Sequence, residues 1–144
     1  HTAIMNYMDS LIQKKISLDV YNLENYVYID EKWITFIICQ VLQNSIKYLN
    51  KPEKIIKIHS ENNKNNVVLV IEDNGEGILD HDLPRVFEYG FTGTDRQKQY
   101  STGIGLYLCK KLCNKMNLDI KIESQYKKFT KVKIIFPKTN LYRQ

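Results

Sequence analysis

The chain has 144 residues, of which 43% are hydrophobic and 26% are charged, and its formal net charge is +5. This composition excludes a chain that is disordered throughout, and no apolar run approaches the roughly 20 residues that a membrane-spanning helix needs. So mild a basic excess is typical of a solvated surface, and without a dense basic stripe it does not predict a nucleic-acid partner.

The first half of the chain predicts two helices and two short strands. A helix over residues 3–14 places its apolar side chains on one face, and strand patterns follow at 15–20 and 26–29. The longest helical pattern runs over residues 30–50, with Asp30 as its N-cap. This helix is apolar over a wide arc, so we expect it to be largely buried.

The second half predicts two strands, a glycine-rich loop, a helix and two more strands. The strand patterns cover 54–60 and 66–73, a helix opens near Gly103, and the closing strands cover 118–124 and 129–136. This order predicts an α+β fold, an α/β two-layer sandwich. Its sheet is mixed and mainly antiparallel, and it packs on about three helices.

The three cysteines are predicted to be buried free thiols. Cys39, Cys109 and Cys113 lie in apolar helical stretches and form no Cys-x-x-Cys spacing, which favours a reducing compartment. No histidine lies near Cys109 and Cys113 in the sequence to complete a zinc site.

A polar stripe interrupts the long helix near its end. Asn44, Lys47 and Tyr48 are spaced to share one helical face, and Gln40 lies one turn earlier. A buried amide or ammonium group needs hydrogen-bonding partners. Two interpretations remain open here: a partly exposed stripe at a helix end, or the polar lining of a ligand cavity.

Two glycine motifs follow. An apolar strand leads into Asp73, Gly75 and Gly77, which fit either a simple hairpin turn or a carboxylate that accepts a hydrogen bond from a ligand amine. Farther on, Gly103 and Gly105 open a helix, and a helix N-terminus favours anions such as phosphate. The second motif is neither a Walker A loop nor a dinucleotide fingerprint.

Taken in order, these segments resemble the N, G1 and G2 boxes of the GHKL superfamily, which includes sensor histidine kinases, DNA gyrase, the Hsp90 chaperone and MutL. NSIKY is similar to the N box of the kinases, RVFEYGFTG to their F box, and STGIGLYLCKKLC to the helix after G2. The likeness spans residues 30–136 and is nearest to the bacitracin- and antimicrobial-peptide-sensing kinases. It implies the Bergerat ATP-binding fold, with a mobile ATP lid over residues 88–101, in a single catalytic domain over residues 1–144.

The resemblance also implies roles at the adenine end of an ATP site. Asp73 accepts a hydrogen bond from the adenine amino group, whereas guanine presents a carbonyl there. Gly75 and Gly77 let the backbone approach the base, Ile78 packs on it, and Tyr48 covers the ribose or base.

At the phosphate end, the resemblance implies that Asn44 binds Mg²⁺ through its amide oxygen and that Lys47 meets the phosphates as a point charge. Arg96 and Lys98 in the lid are candidate γ-phosphate contacts, so Lys47 and Arg96 would neutralise phosphate charge. The backbone of the G2 turn completes the phosphate site, with the residues Thr102, Gly103, Ile104, Gly105 and Leu106.

Two departures from the family pattern affect the expected chemistry. Gln40 stands where the kinases usually have asparagine and the hydrolytic members have glutamate, so it cannot act as a base. This argues for phosphoryl transfer to a protein and against ATP hydrolysis. Ser101 replaces the leading glycine of G2.

The phosphoacceptor histidine of such a kinase is not evident in this sequence. His1, His59 and His81 are the only histidines, and none lies in a His-Glu-x-x-x-Pro setting. We therefore expect a cytoplasmic fragment of a membrane-anchored homodimeric sensor kinase that serves a response regulator. Residues 1–14 would join it to the dimerisation domain that carries the acceptor.

Two other functions remain open. A stand-alone GHKL serine kinase of the anti-sigma type normally keeps an acidic N-box residue. A degenerate nucleotide- or partner-binding module would have no transfer activity, and the retention of Asn44, Lys47 and Asp73 speaks against it.

Overall fold

A computed structural model describes residues 1–25, 27, 29–92 and 103–138. Between Leu83 and Arg85 the chain makes one short 3-10 turn. No helix within the described ranges is long and apolar enough to cross a membrane. The helices and strands, in chain order, are α1 (Thr2–Gln13), β1 (Ile16–Tyr21), α2 (Glu31–Lys47), β2 (Lys54–Asn62), β3 (Asn66–Asp73), α3 (Gly105–Lys115), β4 (Asp119–Gln125) and β5 (Phe129–Pro137).

The strands form one sheet in the order β1-β2-β3-β5-β4. Strands β1 and β2 are parallel, because α2 crosses over between them, and the other neighbours are antiparallel. The mixed, mainly antiparallel sheet predicted from the sequence is therefore confirmed.

The core lies between the helices and one face of this sheet. Helix α2 is central, since both α1 and α3 pack against it. Alternate residues of β5 point toward the helices, as its period-two pattern predicts, whereas β3 is buried on both faces. The core includes the fully buried side chains Ile37, Leu42, Cys109, Cys113, Ile56, Ile71, Ile120 and Ile134.

Helix α2 begins as predicted and ends earlier than predicted. The Asp30 carboxylate accepts hydrogen bonds from the backbone N–H groups of Lys32 and Trp33, at 2.9 and 3.4 Å, and so caps the helix. The helix ends at Lys47 and does not continue to residue 50. The carbonyl oxygen of Tyr48 instead accepts a hydrogen bond from the N–H of Glu76, 3.0 Å away.

The strand predicted over residues 26–29 is wrong for the two of its residues that the structure describes. Val27 and Ile29 have no strand structure, and both pack half-buried against the hydrophobic core. Tyr26 and Tyr28 lie outside the described residues. The alternation of apolar side chains here reflects burial of a connecting segment, which periodicity alone cannot distinguish from a strand.

Candidate functional site

A cavity of about 240 Å³ lies between α2, the loop that follows β3, and the start of α3. These three segments are distant in the sequence, and strands β4 and β5 also contribute to the walls. The predicted site residues that line it are Asn44, Lys47, Tyr48, Asp73, Gly77, Ile78, Gly103, Gly105 and Leu106. The polar stripe on α2 and the two glycine motifs thus meet at one place.

Asp73 ends β3 with its carboxylate at the cavity wall and only 5% of the residue exposed. One carboxylate oxygen accepts a hydrogen bond from the N–H of Gly75 at 2.9 Å, and the hydroxyl of Ser45 also donates a hydrogen bond to this carboxylate. Burial raises the pKa of Asp73 to about 6, against the lowering effect of these two donors. At pH 7 the side chain is therefore mainly an ionised acceptor that is shielded from solvent.

The glycines after Asp73 are required by close backbone packing. A Cβ atom on Gly75 would lie 2.6 Å from the carbonyl oxygen of Tyr48. Gly77 has φ +74°, and its α-carbon faces the carbonyl of Gln125 so closely that no side chain fits. The hairpin-turn interpretation is wrong for this motif, because β3 pairs with β2 and β5 and the chain leaves it into a loop.

The second glycine motif forms the opposite end of the cavity. Gly103 has φ +69° and accepts a hydrogen bond at its carbonyl oxygen from the N–H of Gly90 at 3.1 Å. Ile104 is the N-cap of α3, and its own side chain makes no capping hydrogen bond. The positive end of the α3 dipole therefore points toward the cavity, an arrangement that favours an anion.

The polar stripe on α2 is partly exposed at the end of the helix and also lines the cavity, so both interpretations of this stripe apply. Asn44 and Gln40 line the cavity and are half-buried. Lys47 also lines it but is exposed, because α2 ends there, as the interpretation of a partly exposed stripe at a helix end predicts. The Nζ atom of Lys47 lies 5.7 Å from the centre of the Tyr48 ring.

Some predicted site residues do not line the cavity. Gly75 lies behind the wall, where it holds the Asp73 carboxylate, and Ile104 serves as the cap of α3. Arg96, Lys98 and Thr102 lie outside the described residues, as does most of the predicted lid.

Sequence reasoning missed several residues of the cavity, including Ser45, Asp82 and Thr130. Thr130 is the cross-strand partner of Asp73. One signal was present in the sequence: Thr130 is a polar residue on the otherwise apolar, inward face of β5. A polar side chain at such a position needs partners or a ligand.

The donor set of the cavity fits a magnesium ion that arrives with a phosphate ligand. Asn44 and Gln40 offer amide oxygens, which suit Mg²⁺. Within the described parts of the chain, no three His, Cys, Asp or Glu side chains cluster so that they could hold a metal by themselves. An ion here would therefore keep several waters and phosphate oxygens as ligands.

Comparison with known proteins agrees with this geometry. A family described as "Histidine kinase-, DNA gyrase B-, and HSP90-like ATPase" matches residues 29–140. Sensor protein kinase GraS from Staphylococcus aureus (strain JH1) is 40% identical over 129 residues, which cover 88% of this chain and 37% of GraS. In strain MRSA252 the identity of GraS is 39% over the same length. The chain thus spans just over a third of the length of these curated relatives.

Solved structures share the fold at low sequence identity. The mycobacterial sensor histidine kinase MprB has a TM-score of 0.80 at 20% identity, covering 94% of this chain and 93% of that one. The catalytic domain of histidine kinase ThkA has a TM-score of 0.78 at 21% identity, covering 95% and 90%. These likenesses confirm the predicted fold class. The chain therefore belongs to the histidine kinase-, DNA gyrase B- and HSP90-like ATPase family and has the fold of histidine kinase catalytic domains.

Proposed function

We propose that this chain is the catalytic, ATP-binding domain of a two-component sensor histidine kinase. It would bind Mg-ATP and donate the γ-phosphoryl group to a histidine on a dimerisation domain outside these residues. One observation carries the proposal: a buried carboxylate (Asp73), an amide (Asn44) and the N-terminus of α3 line the same cavity.

The Asp73 end of the cavity suits the adenine base. The ionised carboxylate accepts a hydrogen bond from the 6-amino group of adenine and repels the carbonyl that guanine presents there. Gly77 brings the backbone close to the base, Ile78 packs on it, and Tyr48 covers the ribose or base, while Gly75 holds the Asp73 carboxylate from behind the wall.

The α3 end suits the polyphosphate. Lys47 places a positive charge at the cavity, and the backbone from Gly103 to Leu106 offers N–H groups at a helix N-terminus. The Asn44 amide oxygen would be a ligand of the magnesium ion that accompanies ATP. We include Arg96, Lys98 and Thr102 as further phosphate contacts from the lid.

Catalysis in this arrangement comes from positioning and charge neutralisation. Gln40 lies at the phosphate end and carries an amide, which cannot take a proton from water. Transfer to a protein acceptor is therefore favoured over hydrolysis. The same residue speaks against a serine kinase of the anti-sigma type, and the preserved cavity speaks against a degenerate module.

The membrane anchor, the dimeric state and the final phosphoryl acceptor are proposed by analogy with the relatives. GraS is a sensor kinase, and this chain matches 37% of its length. We infer a membrane-anchored homodimer whose cytoplasmic part includes this domain, with residues 1–14 as the joining helix and a response regulator as the final acceptor.

Two measurements test this function. Calorimetry with Mg-ADP and Mg-ATP is expected to show binding to the 144-residue chain. With labelled ATP, acid-labile phosphate is expected on a dimerisation domain supplied in trans and not on this chain alone. Absence of nucleotide binding would remove the proposal, and acid-labile label on the isolated chain would remove the requirement for a separate acceptor domain.

A further inference from the structure

Three polar side chains lie in a row across three neighbouring strands. Ser124 on β4 is the cross-strand partner of Thr130 on β5, and Thr130 is the partner of Asp73 on β3. Directly opposed residues in an antiparallel pair have their side chains on the same face, about 5 Å apart. Thr130 and Asp73 both line the cavity, and Ser124 lies behind Thr130.

The hydroxyl of Ser124 has three neighbours within hydrogen-bonding distance. Its Oγ atom lies 2.7 Å from the carbonyl oxygen of Phe129, 2.8 Å from the backbone nitrogen of Ile78 and 3.2 Å from Oγ1 of Thr130. A serine hydroxyl has one hydrogen to donate and two lone pairs to accept with.

These neighbours fix the direction of each hydrogen bond. The Phe129 carbonyl can only accept, so it takes the hydrogen of Ser124. The N–H of Ile78 can only donate, so it uses one lone pair of Ser124. The remaining lone pair accepts the hydrogen of the Thr130 hydroxyl.

Thr130 therefore has no hydrogen left for the cavity and presents only lone pairs there. Beside it, the Asp73 carboxylate is also an acceptor. The wall of the cavity at these two residues thus offers acceptors alone, and a ligand group with two N–H bonds satisfies it better than a carbonyl does.

We propose that Ser124 is a positioning residue that holds the Thr130 hydroxyl as a hydrogen-bond acceptor. As a result, the cavity wall formed by Asp73 and Thr130 binds a base with a ring amino group more tightly than a base with a ring carbonyl. This inference rests on the proposed function and assigns part of its base selectivity to a side chain that does not touch the base. Without Ser124, the Thr130 hydroxyl can rotate and donate to a carbonyl.

The test compares ADP with inosine 5′-diphosphate, which carries a carbonyl in place of the 6-amino group and has the same phosphates. Affinities are measured by calorimetry for wild type, Ser124→Ala, Thr130→Val and the double variant. Ser124→Ala is expected to lower the preference for ADP about tenfold, the effect of one hydrogen bond made or lost. Thr130→Val is expected to lower it as well, and adding Ser124→Ala to Thr130→Val is expected to change it no further.

The double variant separates this role from a structural one. If Ser124→Ala reduces the preference equally with and without the Thr130 hydroxyl, Ser124 acts through Ile78 and the proposal is overturned. An unchanged preference in Ser124→Ala or in Thr130→Val overturns it too. Ser124→Thr keeps the hydroxyl and suits a strand, so it should retain the wild-type preference, and it serves as the matched variant if Ser124→Ala unfolds. Failure of wild type to bind ADP would instead overturn the proposed function.

Discussion

The side-chain oxygen of Gln40 occupies the space in which a side chain on Gly105 would begin. A Cβ atom on Gly105 would lie 2.5 Å from Oε1 of Gln40, whereas a Cβ atom on Gly75 would lie 2.6 Å from the backbone carbonyl of Tyr48. The two conflicts differ in kind. Gln40 can rotate its amide away, but the Tyr48 carbonyl is held by the end of α2 and by its hydrogen bond from Glu76.

Alanine substitutions at these two glycines should therefore behave differently. Gly75→Ala should lower the free energy of unfolding by about 1–3 kcal/mol, because backbone must move. Gly105→Ala should cost less than about 1 kcal/mol, since alanine also favours the helix, yet it should weaken ATP binding by crowding the phosphate end. Urea unfolding and calorimetry measure the two effects. Equal losses of stability would contradict the packing described for Gly75.

Asp73→Asn should stabilise the nucleotide-free chain while weakening nucleotide binding. Burial raises the pKa of Asp73 to about 6 from its ordinary 3.8, so the native state binds more protons than the unfolded state between these values. The stability contributed by this group is present at low pH and is lost as pH rises through about 4 to 6. At pH 7–8 the ionised carboxylate costs up to about 3 kcal/mol, which the amide avoids.

The measurement is the free energy of unfolding of both proteins from pH 4 to pH 8, together with ADP affinity at pH 7.5. The stability difference is expected to grow with pH and to level off above pH 7, and ADP binding is expected to weaken by about 1–3 kcal/mol. If the free energies of unfolding of the two proteins change in parallel with pH, burial does not raise the pKa of Asp73.

The local features of the fold were readable in the sequence because each has a local cause. The cap at Asp30 acts on N–H groups two and three residues away, and the period-two pattern of β5 reports which of its faces is buried. The glycine motifs were also readable, since few other residues tolerate a positive φ or so close a backbone approach.

The features of the site that could not be predicted from the sequence depend on contacts between residues that are distant along the chain. The inclusion of Thr130 and Ser45 in the site follows from strand register and from the packing of α2 on β3. The exposure of Lys47 follows from where α2 ends, next to the hydrogen bond that the N–H of Glu76 donates to the carbonyl oxygen of Tyr48. None of these contacts lies within a single local pattern.

The three cysteines should differ sharply in their reactivity. Cys109 and Cys113 are fully buried, and burial raises their pKa values to about 12 and about 11, so almost no thiolate forms at neutral pH. Cys39 is half-buried, with the side-chain amide of Asn6 3.6 Å from its sulfur. A thiol reagent at pH 7.5 should label Cys39 first and the other two only on unfolding. Cys39→Ser should abolish the fast phase; three equal rates would contradict the burial of α3.

The cap of α2 should be worth about 1 kcal/mol. Asp30→Ala removes the acceptor of the Lys32 and Trp33 N–H groups and should lower the free energy of unfolding by about that amount. Asp30→Ser is the matched control, because a serine oxygen can accept the same hydrogen bonds. A loss of the same size in Asp30→Ser would mean that the charge of Asp30, and not its capping geometry, stabilises the helix.

Gln40→Glu should introduce slow hydrolysis of ATP. Gln40 lies against Gly105 at the phosphate end of the cavity, and a carboxylate there could take a proton from an attacking water, which an amide cannot do. Phosphate release at saturating Mg-ATP should rise at least about tenfold over wild type. Gln40→Asn keeps the amide and should show no rise, so it separates the new base from a general loosening of the site. If Gln40→Glu binds ADP normally and releases no more phosphate than Gln40→Asn, the cavity does not place a water in line with the γ-phosphorus, and residue 40 is not what directs this domain toward transfer.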